Sequence, residues 1–285
     1  MAGLLTEIWT GELLKAFRQD ATFLTGLPNY SGKVAENNTI HLVDVGADPD
    51  ILINNTVYPI ATSTRTDGDV AISLNKVETT NTSVTDDEIK SLSYEKIRSV
   101  NEQHVSTLEE GTSKMAIHSI APTSDAAKTP VFSTAAAKLT IADIRKMKRK
   151  FDDAKIPQKG RRLVLCPKHV EELMETNETF EKQYSLDNKE GKIGRLLGFD
   201  IFEFVDTPVF NAGTKQAWGA APVVGDKESS VAFFAPRMFT AQGQVKMYYG
   251  KAEDRPTTRD SVMGYRLYDI VMPKKAEAIG AIISQ

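Results

Sequence analysis

One cysteine, Cys166, stands among 285 residues, so no disulfide can form within the chain. A lone thiol also cannot supply a typical structural zinc site, which draws on several Cys and His ligands. Such cysteine usage suits a protein that matures in a reducing cytoplasm. Long apolar runs are missing too: none approaches the ~20 residues needed to cross a bilayer. The opening Met1-Ala2-Gly3-Leu4-Leu5 has neither a basic stretch nor a long apolar core, so a signal peptide is not expected and the chain reads as soluble and intracellular when made. A dominant charge is lacking as well. There are 35 basic and 38 acidic residues, a formal net charge of -3, whereas a dedicated nucleic-acid binder is usually basic. Internal repeats and low-complexity tracts are absent. What is present is 41% hydrophobic and 26% charged residues, enough apolar material for a packed core.

At the N-terminus, Ile8, Trp9, Leu13, Leu14 and Phe17 recur at helical steps before the breaker Gly26-Leu27-Pro28. This amphipathic piece docks on its own core or on a neighbour. Residues 39–43 read as a strand, and a polar excursion from about 44 to 84 follows, with alternating Val70-Ala71-Ile72-Ser73-Leu74 after an Asp67-Gly68-Asp69 turn signal. Excursions of that length are either used or disordered, and a projecting hairpin is the simpler reading. Thr85-Asp86-Asp87-Glu88 forms a capping box. Ile89, Leu92, Ile97, Val100, His104 and Leu108 then mark one helical stripe, and Gly111 is the expected stop. The spacing predicts a helix over 86–109, about 36 Å long, which suits a spine across an extended molecule.

Residues 121–138 read as a linker or crossover. A helix then carries Ile141, Ile144, Met147 and Phe151 on one face, a buried strand occupies 161–167, and a helix begins at Lys168. Gly191 to Phe204 holds a turn and an alternating strand. The last third is mainly β, with strands at 231–234, 245–249 and 265–271.

Chemical motifs are weak. In the glycine cluster at 191–198 the lysine follows the first glycine and no Ser or Thr sits in place, so it is neither a P-loop nor a dinucleotide fingerprint. His41, His104, His118 and His169 are scattered, and His104, on the apolar stripe, reads as a satisfied packing residue. Cys166 ends an apolar strand and Pro167 separates it from His169, which favours a buried thiol over a nucleophile. No metal, cofactor or catalytic set is expected, and the chain does not read as an enzyme. The basic run Arg145, Lys146, Lys148, Arg149 and Lys150 would attract phosphate, yet no aromatic residue interleaves with it. A solvated or intersubunit face is favoured over a DNA-facing one.

The order of these pieces resembles the Hong Kong 97-type major capsid protein of tailed bacteriophages. Local phrases are similar as well: Arg162-Leu163-Val164-Leu165-Cys166-Pro167 before His169 and Leu173, and Gly191-Lys192-Ile193-Gly194 leading to Leu197-Gly198-Phe199-Asp200-Ile201. The resemblance implies an α+β fold with an N-terminal arm (1–38), an extended E-loop hairpin (39–84), a spine helix with the first part of the P-domain (85–137), an inserted α/β A-domain (138–228) and strands completing the P-domain sheet (229–285). It implies a structural protein that self-assembles as pentamers and hexamers into an icosahedral head around double-stranded DNA. DNA contact would be weak, and portal, scaffolding and decoration proteins would be partners. The protein would sit in the virion, and in the host cytoplasm during assembly. Trp9, Leu13, Phe17, Ile51, Ile53, Tyr58, Ile72 and Leu74 become the candidate intersubunit contacts. An encapsulin-like compartment enclosing cargo enzymes shares the fold and is the alternative. No scaffolding-like region is evident at the N-terminus, which implies a separate scaffolding protein or none.

Overall fold

Residues 86–120 contain no proline, and they form one helix in this computed structural model, α1 (Asp86–Ile120). The structure describes residues 21–35, 37–44, 49, 51–60, 62, 64–187 and 192–285, with side chains for all of these except 44, 86–97, 99, 183 and 185–187. The expected N-terminal helix with Trp9, Leu13 and Phe17 lies outside the described residues, as does the Glu88 side chain of the capping box. At 35 residues α1 is about 52 Å long. It runs through Gly111, the expected stop. A mid-helix glycine costs only ~1 kcal/mol. Beyond it Ala116, Ile117 and Ile120 are buried against Phe23, Val164, Phe233 and Ile279. Each large apolar side chain so buried contributes ~1.5–3 kcal/mol, which outweighs the glycine.

The middle of α1 lies on a four-stranded antiparallel sheet. Its strands are β3 (Asn75–Glu78), β4 (Thr82–Thr85), β12 (Met238–Gly250) and β13 (Asp260–Pro273), with β13 pairing all the others. Val100 and Leu108 of the helix meet Val245, Met263, Tyr265 and Leu267 there. His104 is buried on this face with its ring 5.2 Å from that of Tyr265. Among the described residues its Nε2 has no hydrogen-bond partner, so the residue packs there without the satisfied polar contact expected from the sequence, and desolvation lowers its pKa.

β1 (Thr39–Asp44) and β2 (Gly68–Ser73) pair antiparallel from Thr39↔Ser73 to Asp44↔Gly68. A hairpin is the reading the polar excursion favours, but Gly68 and Asp69 of the turn signal lie within β2, paired with Asp44 and Val43. The stretch after it departs from expectation, because β3 and β4 leave the hairpin and join β13.

The second sheet has eight strands. Six run in the order β5 (Val131–Ser133), β14 (Ile279–Ile283), β11 (Lys227–Phe234), β6 (Arg161–Leu165), β8 (Phe199–Glu203) and β7 (Lys192–Leu196). β9 (Val209–Asn211) pairs the start of β11 and also β10 (Thr214–Lys215). β14, with all five residues buried, sits between β5 and β11. Strands of the last third are therefore divided between two sheets: β12 and β13 in the first, β11 and β14 in the second. Residues 121–138, expected as linker, hold β5.

Three helices cover one face of the second sheet: α2 (Ile141–Asp153), α3 (Pro167–Thr176) and α4 (Glu178–Asp187). Thr140 starts α2, its amide and hydroxyl donating to Asp143 Oδ2 at 3.0 and 2.8 Å. Pro167 at the first position of α3 removes an amide that would have no helical partner. The C-terminal part of α1 covers the other face. Arg162 ties the segment before the hairpin to this body, donating to the carbonyls of Phe23 (2.5 Å) and Thr25 (2.6 Å).

Candidate assembly surfaces

The loop between β1 and β2 holds apolar side chains out in solvent. Ile51 is 88% exposed, Ile53 82% and Tyr58 74%, with Leu52, Val57 and Ile60 also exposed. Local bonds shape the loop. Asn55 Oδ1 accepts from the Val57 amide (3.1 Å), Asn55 Nδ2 donates to the Val57 carbonyl (2.8 Å), and Arg65 Nε lies 2.6 Å from Asp67 Oδ1. At the base of the hairpin the pattern reverses. Ile40 is buried, and Leu42 and Ile72 pack beside it in a cluster with Leu74, Phe239, Ala241 and Ile270. Leu74, 7% exposed, is committed to its own chain and Ile72 is half-buried. These two candidate contacts therefore serve the internal core, because β2 leads straight into β3 on the four-stranded sheet. Soluble monomers seldom carry contiguous exposed apolar surface of the kind found at 51–60.

A second set of exposed apolar side chains lies outside that loop. Val205, Trp218, Val223 and Val224 are exposed, Val224 at 99%. The loop that carries the last three is closed by Asp226, whose Oδ2 accepts from the Val223 amide (2.7 Å) and whose Oδ1 accepts from Asn211 Nδ2 (2.9 Å). The Val223 amide and then Asn211 hold its carboxyl below the usual range. Trp218 packs edge-on to His118, ring centroids 5.5 Å apart. The available signal was a tryptophan and two valines in an Ala-, Gly- and Pro-rich run, with no regular period to mark them.

The five-cation run lies on α2 as expected, opposite buried Ile144, Met147 and Phe151. Lys148 is drawn to Asp152 (2.6 Å), and Lys146 sits over the Phe132 ring at 4.1 Å. Arg145, Arg149 and Lys150 are exposed, without an ion pair among the described residues.

The interior shows one constellation resembling a nucleophile and its base. His169 Nδ1 is 2.6 Å from Ser230 Oγ, and its Nε2 is 2.9 Å from Ser284 Oγ. Cys166 donates its amide to Ser230 Oγ at 3.2 Å. All four residues are buried. Burial drives the histidine down to about 4 and the thiol up to about 11, so neither is poised to exchange protons near neutrality. The cluster stitches α3, β11 and the C-terminus together. Two cavities, of about 410 and 300 Å³, flank α1. Asp269 lines the larger, and desolvation pushes its carboxyl up to about 7. Among the described residues no three His, Cys, Asp or Glu side chains gather as a metal site would need, and no helix is long and apolar enough to cross a membrane.

No family model and no curated protein matches the chain. Solved structures do. The capsid of Ralstonia phage GP4 aligns with a TM-score of 0.67 at 8% identity, covering 94% of this chain and 88% of that one. The head structure of Helicobacter pylori bacteriophage KHP40 gives 0.65 at 11% identity, over 93% and 91%. The virus-like particle from Pyrococcus furiosus gives 0.61 at 11% identity, over 98% and 99%. The chain thus has the mixed α/β fold of phage capsid proteins, as the sequence resemblance implied.

Proposed function

We propose that the protein is the major coat subunit of a tailed-phage head, a structural protein that closes an icosahedral shell around double-stranded DNA. In this reading residues 39–74 form the E-loop, α1 the spine, the four-stranded sheet the P-domain and the eight-stranded sheet the A-domain. The observation that carries it is the apolar loop 51–60, held out beyond the chain's own core on a fold shared with capsids. Burying Ile51, Ile53 and Tyr58 against a neighbour would each contribute roughly 1.5–3 kcal/mol, none of it realised by a solitary subunit. Contacts of this modest size let a misplaced copy leave and rejoin. Portal, scaffolding and decoration proteins would complete the head, and a near-neutral chain would surround the genome without gripping it.

The Pyrococcus furiosus particle, matched over nearly the whole of both chains, favours a second reading: an encapsulin-like compartment that encloses protein cargo. Negative-stain microscopy and sedimentation of purified protein test the shell, and genome neighbours separate the two. Portal and terminase genes favour the phage head; a cargo enzyme gene favours the compartment. A monodisperse monomer at high concentration, with and without crowding agent, would refute both.

A further inference from the structure

The larger cavity lies where the apolar core is interrupted. Leu108 of α1 belongs to the cluster on the four-stranded sheet, and Ala116, about two turns on, to the cluster beneath the eight-stranded one. Between them on the same helical face comes Thr112, a polar residue. The register of β12 with β13 sets Gln242 beside Asp269 and Thr240 beside Val271. These residues and parts of the segment 21–31 line a space of about 410 Å³.

Among the described residues, Asp269 is the one ionisable group that lines this space. No ion pair or side-chain hydrogen bond reaches its carboxyl there; the Ile270 amide alone favours the charged form. Cations on the surrounding elements are engaged elsewhere. Arg162 donates to the carbonyls of Phe23 and Thr25, Lys114 pairs with Glu110 and Asp206, and Lys33 and Lys274 sit over the Tyr30 ring. On the other side of β13, β3 sets the neutral Asn75 level with Asp269. Oxygen acceptors remain beside the carboxyl. Thr112 donates its hydroxyl hydrogen to the Leu108 carbonyl (2.8 Å), so its oxygen can still accept. The side chains of Thr240 and Gln242 carry no hydrogen bond among the described residues. Leu24, Leu27, Leu267 and Val271 supply apolar wall.

A deeply set carboxyl among neutral oxygens lacks one positive charge. An ammonium supplies that charge together with three N–H donors. One carboxylate balances only half the charge of a divalent cation, whose oxygen sites draw on several ligands. A bare monovalent ion would leave the leucine and valine walls unused. A carbon chain buries against them, at roughly fourfold in affinity per methylene. We propose that the cavity is a binding site for a primary aliphatic amine, with its ammonium on Asp269 and its chain against Leu27, Leu267 and Val271. The lining comes from a single chain, so binding does not require assembly.

Calorimetric titration of the whole chain with n-butylamine tests it, with methylamine, n-butanol and potassium chloride for comparison. At about pH 8 butylamine should bind, and methylamine about tenfold or more weakly, having fewer methylenes to bury. Asp269→Asn should weaken butylamine about tenfold or more, the loss of a charge-assisted contact. The carboxyl titrates at about 7, so the apparent affinity of the wild-type chain should rise about tenfold from pH 6 to pH 8 with the ionised fraction. Butylamine stays protonated throughout, as a lysine side chain does. That pH dependence needs no variant, so a misfolded Asp269→Asn does not remove the test. Absence of binding, or an affinity flat from pH 6 to pH 8, overturns the proposal. Equal affinity for n-butanol shows an apolar cavity that does not select charge, and equal affinity for potassium shows a bare-ion site; either result overturns it as well.

Discussion

Lys215 of β10 donates its ammonium to the backbone carbonyl of His118, at 2.7 Å, and to that of Ala121 at the same distance. Those carbonyls belong to the end of α1, where backbone acceptors have no helical donors left. A cation there also suits the negative end of the helix dipole. The lysine is buried enough that desolvation lowers it to about 8, and it still bridges the end of the long helix to the β9–β10 hairpin.

Lys215→Met should therefore lower stability by about 1.5–3 kcal/mol, the range for charge-assisted hydrogen bonds left unmade. Denaturant unfolding measures the loss. Hydrogen exchange should quicken in the last turn of α1 while the stretch from Val100 to Leu108, on the four-stranded sheet, stays protected. Uniform loss of protection along the helix would contradict a capping role.

His169 makes stability depend on acid. Its folded pKa is about 4, against an ordinary value of 6.5, because burial excludes the charged ring. Below pH 6.5 the unfolded chain takes up a proton that the folded chain refuses, so stability falls as pH drops from 6.5 to 4. The full effect is about 3 kcal/mol. Asp269 works in the opposite sense. Raised to about 7, it favours the folded state at low pH, and that contribution is lost as pH rises from about 4 towards 7. Unfolding curves of His169→Gln between pH 4 and 7 should lose the acid-dependent fall, and those of Asp269→Asn should steepen it.

Leu74 and Ile51 are expected to separate folding from assembly. Leu74→Ala opens a cavity in the Phe239–Ile270 cluster and should cost about 2–5 kcal/mol. Ile51→Ser/Ile53→Ser/Tyr58→Ser should leave the melting temperature of the subunit within about a degree, because these side chains touch little of their own chain. Particle yield should collapse for the triple variant. Unchanged yield would remove the loop from the assembly contacts.

Gly280 is buried in β14 where α2 crosses. A Cβ there would stand 2.8 Å from Met147 Sδ and 3.1 Å from the Pro130 carbonyl. Gly280→Ala should destabilise by about 1–3 kcal/mol, the usual cost of overpacking. Met147→Ala in the same chain should return part of that loss, since the sulfur is the nearest obstacle. A double variant no better than the sum of the two would mean that the Pro130 carbonyl, just before β5, sets the limit.

Elements whose residues carried their own instructions were legible. Alternation marked β8, β-branched and aromatic residues marked much of β13, period marked α2, and period with a cap marked the start of α1. α4 was missed because few apolar positions punctuate it, Phe180 being its buried anchor. β3, β4, β5 and β14 were missed because each is short and takes its hydrogen bonds from strands far along the chain. Of the candidate contacts, Ile51, Ile53 and Tyr58 lie in solvent, Leu74 lies inside and Ile72 between. The Trp218–Val224 cluster had no periodicity to announce it.

By itself the sequence determined which segments could be helix or strand, that no disulfide could staple them, and that cations crowd α2, since these follow from local sterics, capping and composition. Tertiary structure alone decided that α1 passes Gly111, that β14 threads between β5 and β11, and which isoleucines and leucines of residues 40–74 are covered. Hydrophobicity states that a side chain gains by leaving water; which surface receives it depends on partners brought together across two hundred residues.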